Sequence, residues 1–214
     1  MEKQTIIDIS WPIQPTMTTY KNKNDVHITI NKTFEENHVR ESSLCCGMHT
    51  GTHVDAPAHF LANGSTIDQM DLTKLTGTCL VIDCTQAQES IEKEMLATYP
   101  IHPGDIILLK TSNSATASTA PHRDAFVYLS AQGASYLVEK NIHAVGIDYL
   151  GIERNQPNHE THLTLLQKDI PIIEGLRLGH VKPGRYFFVC LPLALQGAEA
   201  APARAILIPQ AMPS

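Results

Sequence analysis

No run of lysine or arginine occurs in this sequence, and its formal net charge is −6. That excludes nucleic acid or an anionic membrane surface as the main partner. No apolar stretch approaches the length of a bilayer span, and Met1-Glu2-Lys3-Gln4-Thr5 leads into an apolar run with no signal-peptide core. A cytoplasmic protein is expected. Cysteine is present but unpatterned. Cys45, Cys46, Cys79, Cys84 and Cys190 are odd in number and lack zinc-ribbon spacing, which suits reduced thiols better than a disulfide framework. Internal repeats are absent, as is any linker long enough to divide the chain. With 214 residues, 43% of them hydrophobic and 18% charged, residues 1–214 are expected to form a single soluble domain. A chain of that length buries about 70% of its unfolded surface.

Short apolar runs rich in β-branched residues predict strands at Ile6–Ile9, Val26–Ile30, Thr78–Cys84, Ile106–Thr111, His143–Asp148, Ile170–Leu176, Tyr186–Leu191 and Ala205–Ile208. Several do not alternate polar with apolar, as expected of strands buried on both faces. Helical patterns are fewer. Ser90 is placed to cap Ile91–Thr98, and Ser130 to cap Ala131–Lys140, whose Ala134, Leu137 and Val138 form a stripe. A short third helix is expected over Thr161–Lys168. Asn113–Pro121, with four Ser/Thr and three Ala, reads as a flexible loop. The fold class is therefore α+β, a strand-rich domain with a few covering helices.

Chemistry concentrates in His49-Thr50-Gly51-Thr52-His53-Val54-Asp55-Ala56-Pro57-Ala58-His59, which holds three histidines and a carboxylate in eleven residues. Neutral imidazole and carboxylate bind zinc, manganese or iron. Gly51 and Pro57 break regular structure, which predicts ligands on a shaped turn. The His49/His53 spacing matches that of a zincin helix, but Thr50 stands where such a helix needs Glu. A bound divalent ion lowers the pKa of water from near 16 toward about 7 and polarises a carbonyl. Asp55 is the residue suited to bridge two ions, since its two oxygens can serve separate metals. His59, beyond Pro57, suits a ligand, a supporting group or a proton shuttle. On a strand the adjacent Cys45 and Cys46 point to opposite faces, so at most one of them could face a metal.

The segment closely resembles the signature of the cyclase family, His-x-Gly-Thr-His-x-Asp-x-Pro-x-His, which includes bacterial kynurenine formamidases and isatin hydrolases; every fixed position is filled. The resemblance continues through Ile7-Asp8-Ile9-Ser10, Asp105–Thr111, Ala144-Val145-Gly146-Ile147-Asp148 and Ile172-Ile173-Glu174-Gly175-Leu176. It ends in Leu191-Pro192-Leu193 and Pro202-Ala203-Arg204-Ala205. It implies a β/β/α fold of that family and two divalent metals, zinc first, with manganese or iron as alternatives. His49, His53 and Asp55 would hold one ion, and Asp55, His162 and Glu174 the other. His159 competes with His162, although the twelve-residue spacing from His162 to Glu174 favours the latter. His59 would be the proton donor and acceptor. The remaining histidines (His27, His38, His102, His122, His143 and His180) read as structural or surface residues.

The implied activity is hydrolysis of N-formylkynurenine or a similar small amide. The alternatives are an isatin-hydrolase-like cyclic-amide hydrolase, a relative with another small substrate, and a binding protein without turnover. The sequence departs from kynurenine formamidases where these carry an aromatic residue followed by Pro-Gly-Asp. Met17–Asp25 here offers Tyr20 as an aromatic wall, together with Lys21 and Lys23. Those lysines suit an anionic substrate, or else form a solvated loop. Relatives pair into dimers or tetramers, so a homo-oligomer is expected. Trp11, the sole tryptophan, flanked by Pro12 and Pro15, is a candidate for the pocket wall or interface, or else for the core.

Overall fold

The central apolar runs become strands because they can bury both of their faces. The computed structural model describes residues 6–210. Its strands are β1 (Ile7–Asp8), β2 (His27–Lys32), β3 (Glu41–Cys45), β4 (His53–Asp55), β5 (Thr76–Asp83), β6 (Ser90–Ile91), β7 (Ile106–Lys110), β8 (Tyr128–Leu129), β9 (Ala144–Ile147), β10 (Ile172–Glu174), β11 (Gly184–Pro192) and β12 (Ala200–Pro209). Four α-helices accompany them among the described residues: α1 (Phe34–Asn37), α2 (Lys93–Leu96), α3 (Ala131–Glu139) and α4 (Glu160–Leu166).

The main sheet runs β1-β12-β11-β5-β7-β9-β10-β4, and β4 pairs again with β12. The strands from β12 to β4 therefore close into a seven-membered, barrel-like ring, with β1 added along the edge of β12. β5, β7, β9 and β10 run parallel, and the other pairings of the ring are antiparallel. Alternation along the strands divides the core in two. Cys79, Val81, Ile106, Leu108 and Ala144 pack with Val54, Phe188 and Leu207 in one cluster. Leu80, Ile82, Ile107, Leu109 and Val145 face the other way, where Leu96 of α2, Leu137 of α3 and Leu165 of α4 cover them. This is the strand-rich α+β architecture expected from the sequence.

Differences lie where tertiary contacts outrank local preference. Ser90 does not cap a helix; Ser90–Ile91 pairs with Tyr128–Leu129, and Ile91 is fully buried there. The Ser90 hydroxyl donates to Glu92, and the helix shrinks to Lys93–Leu96. Ser130 does cap α3, accepting from Gly133 N at 3.0 Å. The Ser/Thr/Ala segment is anchored rather than loose at its start. Thr111 caps a 3-10 turn over Ser112–Ala115, and buried Asn113 exchanges hydrogen bonds with the backbone of Val127. β3 and β4 carry no strong strand signal: β3 is wholly exposed, and β4 is a polar triplet.

Candidate metal centre

β4 is where sequence and site meet. The motif was expected to form a turn, but only its ends turn; His53–Asp55 is a buried strand paired on both edges. Alternation sends Val54 to the apolar cluster and puts His53 and Asp55 together on the other face. In the antiparallel register Glu174 lies directly opposite His53, so β10 delivers a second carboxylate to that face. α4 brings His162 over it, and the 3-10 turn Pro57–His59 brings His59.

The two motif glycine–threonine positions have separate jobs. Gly51 turns the chain with φ +61°, a left-handed conformation that L side chains rarely adopt. The Thr52 hydroxyl accepts from Trp11 N at 2.7 Å and donates to Gly175 O at 2.6 Å, bolting β4 to its neighbours. Gly175 (φ +68°) permits this close approach, since a Cβ there would sit 2.1 Å from Gly51 O.

The donors converge. Asp55 Oδ1 lies 2.9 Å from His49 Nδ1 and 3.5 Å from His53 Nε2, while its Oδ2 faces His162 Nε2 at 3.8 Å. Glu174 Oε2 is 3.4 Å from His53 Nε2, and its Oε1 is 3.5 Å from His162 Nε2. His53 Nδ1 contacts Gly51 O at 2.9 Å, which fixes that nitrogen as the N–H and leaves the Nε2 lone pair facing the carboxylates. His53, Asp55, His162 and Glu174 are all buried.

Burial opposes charging of His53 and His162, but the surrounding carboxylates more than offset it. Glu174 and Asp55 push His53 up to about 9; Glu153 and Glu174 push His162 up to about 10. Burial would raise Glu174, and the two imidazoles instead hold it well below the usual carboxylate range. His59 differs: burial lowers its pKa and keeps it neutral.

The donor set fits a divalent cation. His53 Nε2 and both Asp55 oxygens are buried without a hydrogen-bond partner, and a cation is the partner that would satisfy them together. Hard carboxylate with imidazole is the donor chemistry of zinc, manganese or iron. The triads His53/Asp55/Glu174 and His49/Asp55/His59 each gather donor atoms within 4.8 Å of one another.

The site opens into a cavity of about 1080 Å³, on whose wall His49, His59, His162 and Glu174 meet Tyr20, Lys21 and Lys23. Trp11 is a correction. It is buried in its own chain's core against Tyr149, donates Nε1–H to Ser118 O and does not line the cavity. An indole needs both an apolar bed and one acceptor, and the 118 loop supplies the acceptor. Cys45 is exposed and Cys46 half-buried, and neither lines the cavity. His159 is mostly exposed and turned to Glu153, whereas His162 is the one facing Asp55 and Glu174. Two acidic neighbours carried no signal in the sequence: Glu153, in contact with both His159 and His162, and Glu199, 3.5 Å from His49 Nε2. Glu199 is placed by β12, whose Ala200 pairs with Asp55.

A closed mixed sheet carrying buried imidazoles and carboxylates at one strand crossing defines a metal-dependent enzyme scaffold. The Cyclase family model matches residues 7–154, and the chain belongs to this family. It is 32% identical to the kynurenine formamidase of Bacillus thuringiensis subsp. konkukian (strain 97-27), over 98% of this chain and all of that protein. Among solved structures, a potential metal-dependent hydrolase with cyclase activity superposes with a TM-score of 0.88 at 40% identity, covering 98% of this chain and 100% of that one. Isatin hydrolase A from Ralstonia solanacearum shares the fold, with a TM-score of 0.86 at 19% identity over 96% and 92% of the two chains.

Proposed function

We propose that this protein is a metal-dependent amidohydrolase of the kynurenine formamidase type, cleaving N-formylkynurenine or a similar small amide. Asp55 carries the reading. Its two oxygens face different donor groups, His49 and His53 on one side and His162 on the other. A bridging carboxylate needs that arrangement. His49, His53 and Asp55 would hold one ion, and Asp55, His162 and Glu174 a second, zinc being the first candidate. When bound, such ions supply water of lowered pKa and an electrophile for the amide carbonyl.

The chain's own residues do the rest. His59, neutral because it is buried, takes a proton as water adds to the carbonyl carbon. It returns that proton to the nitrogen as the C–N bond breaks, releasing an amine and a carboxylic acid that gives its own proton up to water. Tyr20 offers an aromatic wall, and Lys21 and Lys23 at the mouth favour an anionic tail. Trp11 keeps a structural place behind that wall.

The β2–β3 hairpin supports a homo-oligomer, dimer or tetramer. Every residue of both strands is exposed, including Ile28, Ile30 and Leu44. An isolated two-stranded hairpin is marginal in water, so a second copy covering it is the economical reading. The continuous ring supports reading residues 1–214 as one domain. The thiols of Cys79, Cys84 and Cys190, pushed up to about 12 by burial, suit a reducing cytoplasm. No helix among the described residues is long and apolar enough to cross a membrane.

Metal analysis followed by hydrolysis assays on N-formylkynurenine, isatin and simple anilides tests the reading. Turnover of the formamide supports it. Turnover of isatin alone favours the cyclic-amide alternative, and tight binding without turnover would identify a binding protein.

A further inference from the structure

The residue at the capping position of helix α4 does not cap it. His159 holds the capping position with a left-handed backbone (φ 53°) and no side-chain cap. Gln156 Oε1 accepts from Thr161 N at 2.9 Å, and Glu153 reaches the next residue from outside the helix. Glu153 Oε2 accepts from His162 N at 3.2 Å and lies 3.0 Å from His162 Nδ1. The ring contact is off the N–H direction, so Nδ1 has no aligned hydrogen bond, and the backbone contact keeps the carboxylate beside it. Glu153 Oε1 touches His159 Nδ1, and the Glu153 side chain is only 8% exposed. Across the same ring, His162 Nε2 faces Glu174 and Asp55. Phe60 stacks on the ring at 4.4 Å and 28°, fixing its plane.

A neutral imidazole carries one proton, and the partner of one nitrogen decides the state of the other. With a carboxylate 3.0 Å from Nδ1, a lone pair there would face oxygen lone pairs, so the proton belongs on Nδ1. We propose that Glu153 is a positioning residue of the metal centre: it keeps the His162 proton on Nδ1 and so presents the Nε2 lone pair to the cation, while His159 steadies Glu153 from the mouth of the cavity. This rests on the metal reading above. It adds a residue outside the ligand set, one whose loss leaves all five ligands in place.

The competing role is a plain helix cap, and three variants separate the two. Glu153→Gln retains an oxygen that can accept from both His162 nitrogens. Glu153→Leu retains none, and His159→Ala leaves the cap untouched. Zinc affinity is measured by chelator competition on the full chain, alongside thermal unfolding of the metal-free protein. Loss of a supporting partner to a histidine ligand typically costs about 10- to 100-fold in affinity. Glu153→Leu is expected to fall in that range, Glu153→Gln to recover most of it, and His159→Ala to lose severalfold with unchanged unfolding. In the zinc-loaded protein the His162 Nδ1–H should give a slowly exchanging proton resonance, kept in Glu153→Gln and broadened by exchange with water in Glu153→Leu.

Unchanged zinc affinity in folded Glu153→Leu and in His159→Ala, or no such resonance in the wild type, overturns the proposal. If Glu153→Leu does not fold, His159→Ala and the wild-type resonance decide. A wild type that binds no zinc overturns the metal reading as well.

Discussion

β7 and β4 belong to the same closed sheet and are both buried on each face, yet they are made of opposite materials. β7 is Ile106-Ile107-Leu108-Leu109-Lys110, in which all four apolar side chains are fully buried. β4 is His53-Val54-Asp55, and three of its buried polar atoms have no hydrogen-bond partner. One strand is held by what it removes from water. The other is tolerated because its neighbours, and the cation its donors fit, balance charge that would otherwise be costly to bury. A single sheet thus holds both kinds of strand, apolar packing in β5, β7 and β9 and the candidate donors where β4 joins β10 and β12.

That contrast can be broken from either side. The largest expected effect is on turnover: His59→Ala should retain metal and lose about 10²–10⁴-fold in kcat, the scale of general acid–base assistance. Metal lost as fully as in His49→Ala or His53→Ala would make His59 a ligand instead. From the β7 side, Leu108→Ala should cost about 2–5 kcal/mol of stability by leaving a cavity, with metal affinity intact in the folded fraction. Denaturant unfolding and chelator competition read the two quantities separately. A variant that loses affinity but not stability would erase the distinction between the strands.

The pH dependence follows from the histidines of β4 and α4. In the metal-free protein His53 and His162 have folded pKa values of about 9 and 10, above the ordinary 6.5. Their contribution to stability is therefore complete below about pH 6.5 and disappears as pH rises through 9–10. Coordination requires neutral rings, so loading metal near pH 7.5 should expel protons. Calorimetry in two buffers of different ionisation enthalpy measures this. Equal heats in both buffers would mean that the imidazoles are already neutral. A smaller effect concerns the hairpin: Ile28→Ser with Ile30→Ser should shift the protein toward monomer in light scattering and barely change unfolding of the chain itself. A native assembly of unchanged size would remove the hairpin from the interface.

The same contrast explains what could be read in advance. β5, β7 and β9 were legible because unbroken β-branched and aliphatic runs have few other uses. The candidate donors were legible because histidine and aspartate around Gly51 and Pro57 have few other reasons to cluster. The conformation of β4 was not, since a polar triplet becomes a buried strand only through its register with Glu174 and Ala200, partners far away in sequence. Glu153 and Glu199 were missed for the same reason: an isolated glutamate on a loop has no periodicity, and only α4 and β12 bring them to the histidines. For Trp11 the sequence left pocket wall, interface and core open, because the acceptor that decides for the core, Ser118 O, lies more than a hundred residues away.

The central claim is that Asp55 joins two cation sites, and equilibrium metal titration tests it most directly. Metal-free protein should take up two divalent ions per chain, measured by elemental analysis after desalting, while Asp55→Ala, folded by circular dichroism, should hold almost none. An Asp55→Ala protein that retains the full wild-type complement would contradict the account.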